Sequence, residues 1–174
     1  MSSSTNAPKE IAKIDRDMHV AIVRTLWNSH ITGPLMDGAK EVFDQYGVTY
    51  ECYEVPGAIE LTYAAAKLAE SMDFDAVVVL GCVIRGGTPH FDYVCQSVTQ
   101  GITQINANAL APVIFGVLTV DNEQQALDRI GGAEGHKGRE AAEAAIIMYD
   151  FAADFNKVHT EFDEFDDDFN FLKD

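Results

Sequence analysis

Four short apolar runs limit what this chain can fold into: HVAIV at 19–23, YECYEV at 50–55, DAVVVLG at 75–81 and PVIFGVL at 112–118. Each is rich in β-branched, aromatic or leucine side chains, and each is followed by residues whose apolar positions recur with helical period. A strand that is apolar along nearly its whole length has to be covered on both faces. Strands of this kind alternating with helices predict a flavodoxin-like three-layer α/β/α sandwich built on a four-stranded parallel sheet. In open sheets of that type ligands collect beyond the carboxyl ends of the strands. Segments 24–31, 56–60, 82–90 and 119–122 are therefore expected along one edge.

Helix boundaries follow from capping chemistry. Thr32 reads as a cap with Pro34 in the first turn, and Leu35, Ala39, Val42, Phe43 and Tyr46 form an apolar face that ends at Gly47. A second helix follows Pro56 and Gly57, with Leu61, Ala64, Ala65 and Leu68 inward. The third is expected from Thr88, and the fourth from Asp121 with Gln124 completing a capping box and Gly131–Gly132 stopping it. The fifth is expected near His136. No repeat of roughly 20–50 residues is visible.

At 174 residues the chain fits one domain, expected over 18–155, after a flexible arm at 1–17. Residues 161–174, EFDEFDDDFNFLKD, carry seven acidic groups against one lysine, a net of −6. Residues 156–174 are accordingly expected to be a disordered acidic tail, although Phe162, Phe165 and Phe169 have the spacing of a helix that docks on a partner. A whole-chain net charge of −16 makes nucleic acid and anionic membrane surfaces poor partners on electrostatic grounds, and neither is expected. No apolar run approaches the roughly 20 residues of a membrane span, and MSSSTNAPKE lacks the basic-then-apolar pattern of a secretory signal, so a cytoplasmic location is expected. Cys52, Cys82 and Cys95 form an odd set without a CxxC pair, which suits reduced thiols and no metal.

The chemistry concentrates in GCVIRGGTPHFDYV, residues 81–94. Gly86 and Gly87 let the backbone approach a ligand closely. Thr88 reads as an N-cap and Pro89 as the first helical residue, so free N–H groups and the positive dipole end make an anion site, phosphate above all. The same pattern also fits a capped turn with no ligand. His90 beside it is a candidate general base, but it also fits a plain surface histidine. Cys82 could be a nucleophile paired with His90 or a small hydrophobe ending an apolar strand. Trp27 could stack on a flat heterocycle or fill a contact between subunits. Arg129 and Lys137 lie in DRIGGAEGHKG, where a cation after a short helix is also explained by the macrodipole.

WNSHIT (27–32), VPGAIEL (55–61), GCVIRGGTPHFDYV (81–94), PVIFGVLT (112–119) and DRIGGAEGHKG (128–138) together resemble the 6,7-dimethyl-8-ribityllumazine synthases, from about residue 18 to 153. The resemblance implies condensation of 5-amino-6-(D-ribitylamino)uracil with 3,4-dihydroxy-2-butanone 4-phosphate, releasing phosphate and water, without metal or organic cofactor. Carried over position by position, it implies that Trp27 stacks on the pyrimidine. Asn28, Gly57, Ala58, Ile59 and Glu60 would hold the ribityl chain, and Val83 and Ile84 would offer backbone groups to the ring edge. Gly87 and Thr88 would grip the phosphate together with Arg129 of a neighbouring subunit. His90 would transfer protons, Phe115 of the adjacent subunit would close the ring pocket, and Lys137 would add charge. Two departures stand out: Trp27 replaces a common phenylalanine, and a common basic position reads Gly-Gly-Ala-Glu. The resemblance also implies a homo-pentamer, in some members assembled into a decamer or 60-subunit shell. Two further functions fit the residues: flavin or lumazine binding without turnover, and a scaffold whose acidic tail recruits riboflavin synthase.

Overall fold

The computed structural model describes residues 11–12, 17–108 and 111–169, with side chains as far as 157. Four strands, β1 (His19–Thr25), β2 (Thr49–Val55), β3 (Ala76–Ile84) and β4 (Val113–Val120), form one parallel sheet in the order β2-β1-β3-β4. Val20 pairs with both Tyr50 and Ala76, and Val77 with Val113, so β1 and β3 are the central strands. Their side chains alternate between two cores, as strand geometry requires. Val20, Ile22, Val78 and Leu80 pack with Leu35, Val42 and Phe43 of α1 (Ser29–Tyr46) and Ala141, Ala145 and Ile146 of α5 (Lys137–Phe169). Ala21, Val23, Val77 and Val79 pack with Leu61 and Ala65 of α2 (Ala58–Glu70) and Val98 and Ile102 of α3 (His90–Asn108). Each fully buried aliphatic chain contributes about 1.5–3 kcal/mol relative to exposure, which accounts for apolar runs on central strands covered by helices on both faces. The result is the three-layer α/β/α arrangement expected from the sequence.

Several helix starts differ from the sequence expectation. Thr32 does not cap α1, which begins at Ser29 after a left-handed Asn28 (φ 57°) and contains Pro34 in its interior. The Thr32 hydroxyl instead donates to the Thr25 carbonyl at 2.6 Å and fastens the helix to the end of β1. Thr88 and Pro89 precede α3 rather than opening it, since the helix starts at His90. At α4 (Glu123–Leu127) the cap is Asn122, not Asp121. Asn122 Oδ1 accepts from the Gln125 N–H at 3.0 Å, while Gln125 Oε1 reaches back past the cap to the Asp121 N–H at 2.9 Å, a variant of the capping box in which the return bond goes to the residue before the cap.

Gly131 and Gly132 do not stop α4. They lie in β5 (Ile130–Gly132), which pairs antiparallel with β6 (Gly135–His136) in a small hairpin. Gly131 (φ 113°) and Gly135 (φ 78°) adopt backbone angles that other residues rarely take. The fifth helix starts at Lys137, as expected near His136, and runs past the 155/156 boundary to Phe169. Residues 170–174, and most of the expected N-terminal arm, lie outside the described residues.

Candidate functional site

The carboxyl ends of β1, β2 and β3 lie side by side and deliver three loops to one edge. The first two are welded together, with Leu26 N–H donating to Val55 O at 2.8 Å and Trp27 N–H to Pro56 O at 3.1 Å. The Trp27 indole stands directly over Gly57, where a Cβ would meet Trp27 Cε3 and Cζ3 at 2.5 Å and Glu60 Oε2 at 3.1 Å. Only a residue without a side chain lets the ring lie there. The indole remains 67% exposed, so one face is open to a ligand. Asn28 turns the other way and its Nδ2 donates to the Cys82 carbonyl at 2.9 Å, fixing the Trp27 loop to the end of β3. The Thr25 hydroxyl donates to Trp27 O at 3.1 Å and tightens the same turn. Trp27, Gly57 and Glu60 thus share one cradle, Asn28 ties it to β3, and Ala58 is buried and Ile59 exposed next to Gly57 in the chain. Val83 and Ile84 form the partly buried end of β3 next to Cys82.

Beyond Ile84 the chain opens into Gly86, Gly87 and Thr88, a turn with little packing of its own. A Cβ at either glycine would have nothing within 4 Å. Thr88 and His90 are exposed, with His90 the first residue of α3. The turn is bracketed by Arg85, whose Nε donates to Asp121 Oδ1 at 2.8 Å and whose Nη1 donates to Asp92 Oδ1 at 3.1 Å. The Arg85 guanidinium also lies over the Phe91 ring, 4.0 Å from its centroid. The hydrogen bond to Asp121 raises the guanidinium pKa above its ordinary value.

Arg129 and Lys137 are brought together by the hairpin: Ile130 pairs with His136, and Lys137 N–H donates to Arg129 O at 2.9 Å. Arg129 Nη1 donates to Gln125 O at 2.7 Å. The Lys137 ammonium is held by both oxygens of Glu140, at 2.8 and 2.9 Å, and is largely covered. Phe115 does not join the edge within one chain. It sits mid-strand opposite Val79 and packs on the α2/α3 side of the sheet. Burial pushes the Cys82 thiol up to about 12, so it stays protonated near neutral pH and packs as a hydrophobe. The thiolate alternative loses its reactive form.

Sequence reasoning gave Arg85, Asp92 and Asp121 no part in the site. Arg85 lies inside the motif and was open to notice, but Asp121 stands 36 positions away and nothing in the sequence links the two. A groove of about 730 Å³ runs between α2 and α3 past Tyr63, Gln100 and Gly101, away from this edge. The edge can stack a flat ring, bond a polyol, receive an anion and exchange a proton.

Residues 17–153 match the family described as 6,7-dimethyl-8-ribityllumazine synthase. The Porphyromonas gingivalis protein of that name is 52% identical over 136 residues, covering 76% of this chain and 84% of the relative. Its Micrococcus luteus namesake is 54% identical over 132 residues, covering 75% and 82%. The Bacteroides fragilis namesake is 48% identical over 143 residues, 80% of this chain and 100% of the relative.

Proposed function

The chain belongs to the 6,7-dimethyl-8-ribityllumazine synthase family, and from that membership we propose that the edge formed by β1, β2 and β3 carries out the family's step of riboflavin biosynthesis. Its substrates are 5-amino-6-(D-ribitylamino)uracil and 3,4-dihydroxy-2-butanone 4-phosphate. The observation that carries the assignment is the Trp27 indole seated on Gly57, with Glu60 beside it. An exposed aromatic plane next to a carboxylate and free backbone at a helix start suits a flat pyrimidine bearing a polyhydroxyl chain.

Trp27 stacks on the ring, Asn28 and the Gly57–Glu60 segment hold the ribityl group, and Val83 and Ile84 face the ring edge. Gly87 and Thr88 offer N–H groups to the phosphate. The uracil amine attacks the ketone to give an imine with loss of water. A proton then leaves the adjacent carbon and phosphate departs. Ring closure by the ribitylamino nitrogen and a second dehydration finish the lumazine. Holding both reactants in register supplies up to roughly 7–11 kcal/mol of the barrier. His90, at the open start of α3, moves the proton and contributes about 10²- to 10⁴-fold. No cofactor enters the sequence of steps.

Phe115 packs on the α2/α3 side of the sheet, away from the Trp27 cradle of its own chain, and Phe115 and Arg129 each serve the site of a neighbouring copy. A homo-pentamer in the cytoplasm is the assembly that follows, with a decamer or 60-subunit shell as larger forms. Lys137, held by Glu140, sets the local potential rather than touching substrate. The acidic segment beyond the family match is where riboflavin synthase would be recruited. Replacing Arg129 by alanine tests the phosphate grip: KM for the butanone phosphate rises while KM for the pyrimidine substrate holds. An unchanged KM for the phosphate substrate would remove Arg129 from the site.

A further inference from the structure

We propose that Arg85 is a positioning residue that clamps the anion-receiving turn, a role that rests on the phosphate site assigned above. A Cβ at Gly86 or Gly87 would meet nothing within 4 Å, so no side chain packs on that side of the turn and its two ends set its shape. Arg85 lies at one end and Asp92, in the first turn of α3, at the other, and their 3.1 Å ion pair closes the loop at its base. A second bond, 2.8 Å from Arg85 Nε to Asp121 Oδ1, ties that base to the loop after β4. Asp121 N–H donates to Gln125 Oε1 at 2.9 Å, and Gln125 O accepts from Arg129 at 2.7 Å. The clamp therefore spans the turn and the helix that presents Arg129.

Stability alone does not explain the cluster. The side chains are 44–65% exposed, and exposed ion pairs add little to stability because water screens them. What a planar guanidinium adds is direction: two separate donors at fixed angles, with its face on Phe91. Lysine carries the same charge and cannot reproduce that fork.

Phosphate binding separates a clamp from a direct ligand by the sign of one effect. If Arg85 were itself a phosphate ligand restrained by the two acids, Asp92→Asn/Asp121→Asn would free it, remove two negative charges and tighten binding. If Arg85 is a clamp, the same double variant loosens the turn and weakens binding. Calorimetric titration of the full-length protein with inorganic phosphate at fixed ionic strength, together with KM for each substrate, reads this directly. We expect Arg85→Lys to weaken phosphate by roughly tenfold, inside the about 10²-fold that a misplacement of one ångström can cost. The double asparagine variant weakens it in the same direction, and KM for the pyrimidine substrate stays within about twofold in both. Phosphate binding that tightens or holds in the double variant, or holds in Arg85→Lys, overturns the clamp. Failure of the clamp and failure of the reaction are distinct. Wild-type protein that makes no lumazine, while phosphate binding falls in both variants, overturns the reaction and leaves the clamp. Product formation with unchanged phosphate binding does the reverse. Wild-type protein that takes up no phosphate overturns the clamp, and lumazine formation alone then decides the reaction.

Discussion

Replacing Gly57 by alanine should disable the ring platform while leaving the fold intact. The added Cβ would sit 2.5 Å from two atoms of the Trp27 ring and 3.1 Å from Glu60 Oε2. Ordinary carbon contacts begin near about 3.5 Å, so the indole must move by roughly 1 Å. It can do so at small folding cost, because Trp27 is 67% exposed and Gly57 has an extended backbone (φ −148°) that alanine also adopts. Stability should change by no more than about 0.5–1 kcal/mol. Binding should suffer far more, since stacking of a heterocycle on an aromatic side chain contributes about 1–3 kcal/mol. Steady-state kinetics should show KM for the pyrimidine substrate raised roughly 10- to 100-fold, with KM for the phosphate substrate little changed. Because the effect acts through the indole, Gly57→Ala on a Trp27→Ala background should add almost nothing. Wild-type KM in a folded Gly57→Ala protein, or fully additive losses in the double variant, would refute the platform.

His90→Ala should lower kcat by about 10²-fold, near the lower end of what a positioned proton-transfer group contributes, with both KM values held. Cys82→Ala should keep kcat within about twofold, because a thiol pushed up to about 12 supplies no thiolate. Loss of turnover in that variant would revive the nucleophile. Burial lowers the His136 pKa below its ordinary 6.5, and its ring is seated against Gly38 of α1. The neutral ring is therefore favoured in the folded chain. Its stabilisation is present above pH 6.5 and lost as pH falls through the folded pKa. Burial raises the Glu143 carboxyl, which acts with the opposite sign. The useful quantity is thus a difference: melting temperature should fall between about pH 7.5 and 5 more steeply in wild type than in His136→Gln.

The central sheet was legible because burial on both faces leaves its mark on consecutive residues. Val77 to Leu80 admit no half-exposed strand, and the structure buries all four. Edge strand β2 was legible by composition alone, since in TYECYEV only Tyr50, Tyr53 and Val55 are half-buried and the rest are exposed. Helix starts were less legible, because a hydroxyl can bond locally or to a distant carbonyl. Thr32 chose the Thr25 carbonyl, a partner visible only once β1 and α1 are packed. The β5–β6 hairpin was missed because three of its five strand residues are glycine, with no side-chain period to read. At the site, the motifs put Trp27, Gly57 and His90 in view. The contact of Trp27 with Gly57 and the bridge from Arg85 to Asp121 arise from chain crossings that no local pattern encodes.

The most direct test of the central claim mixes the full-length protein with both substrates and follows lumazine absorbance, beside an Arg129→Ala/His90→Ala variant. Steady product formation by wild type, lowered by about 10²-fold or more in the variant, is the expected result. A folded wild-type protein that binds the lumazine tightly and forms none of it would contradict the claim and leave a ligand-binding protein in its place.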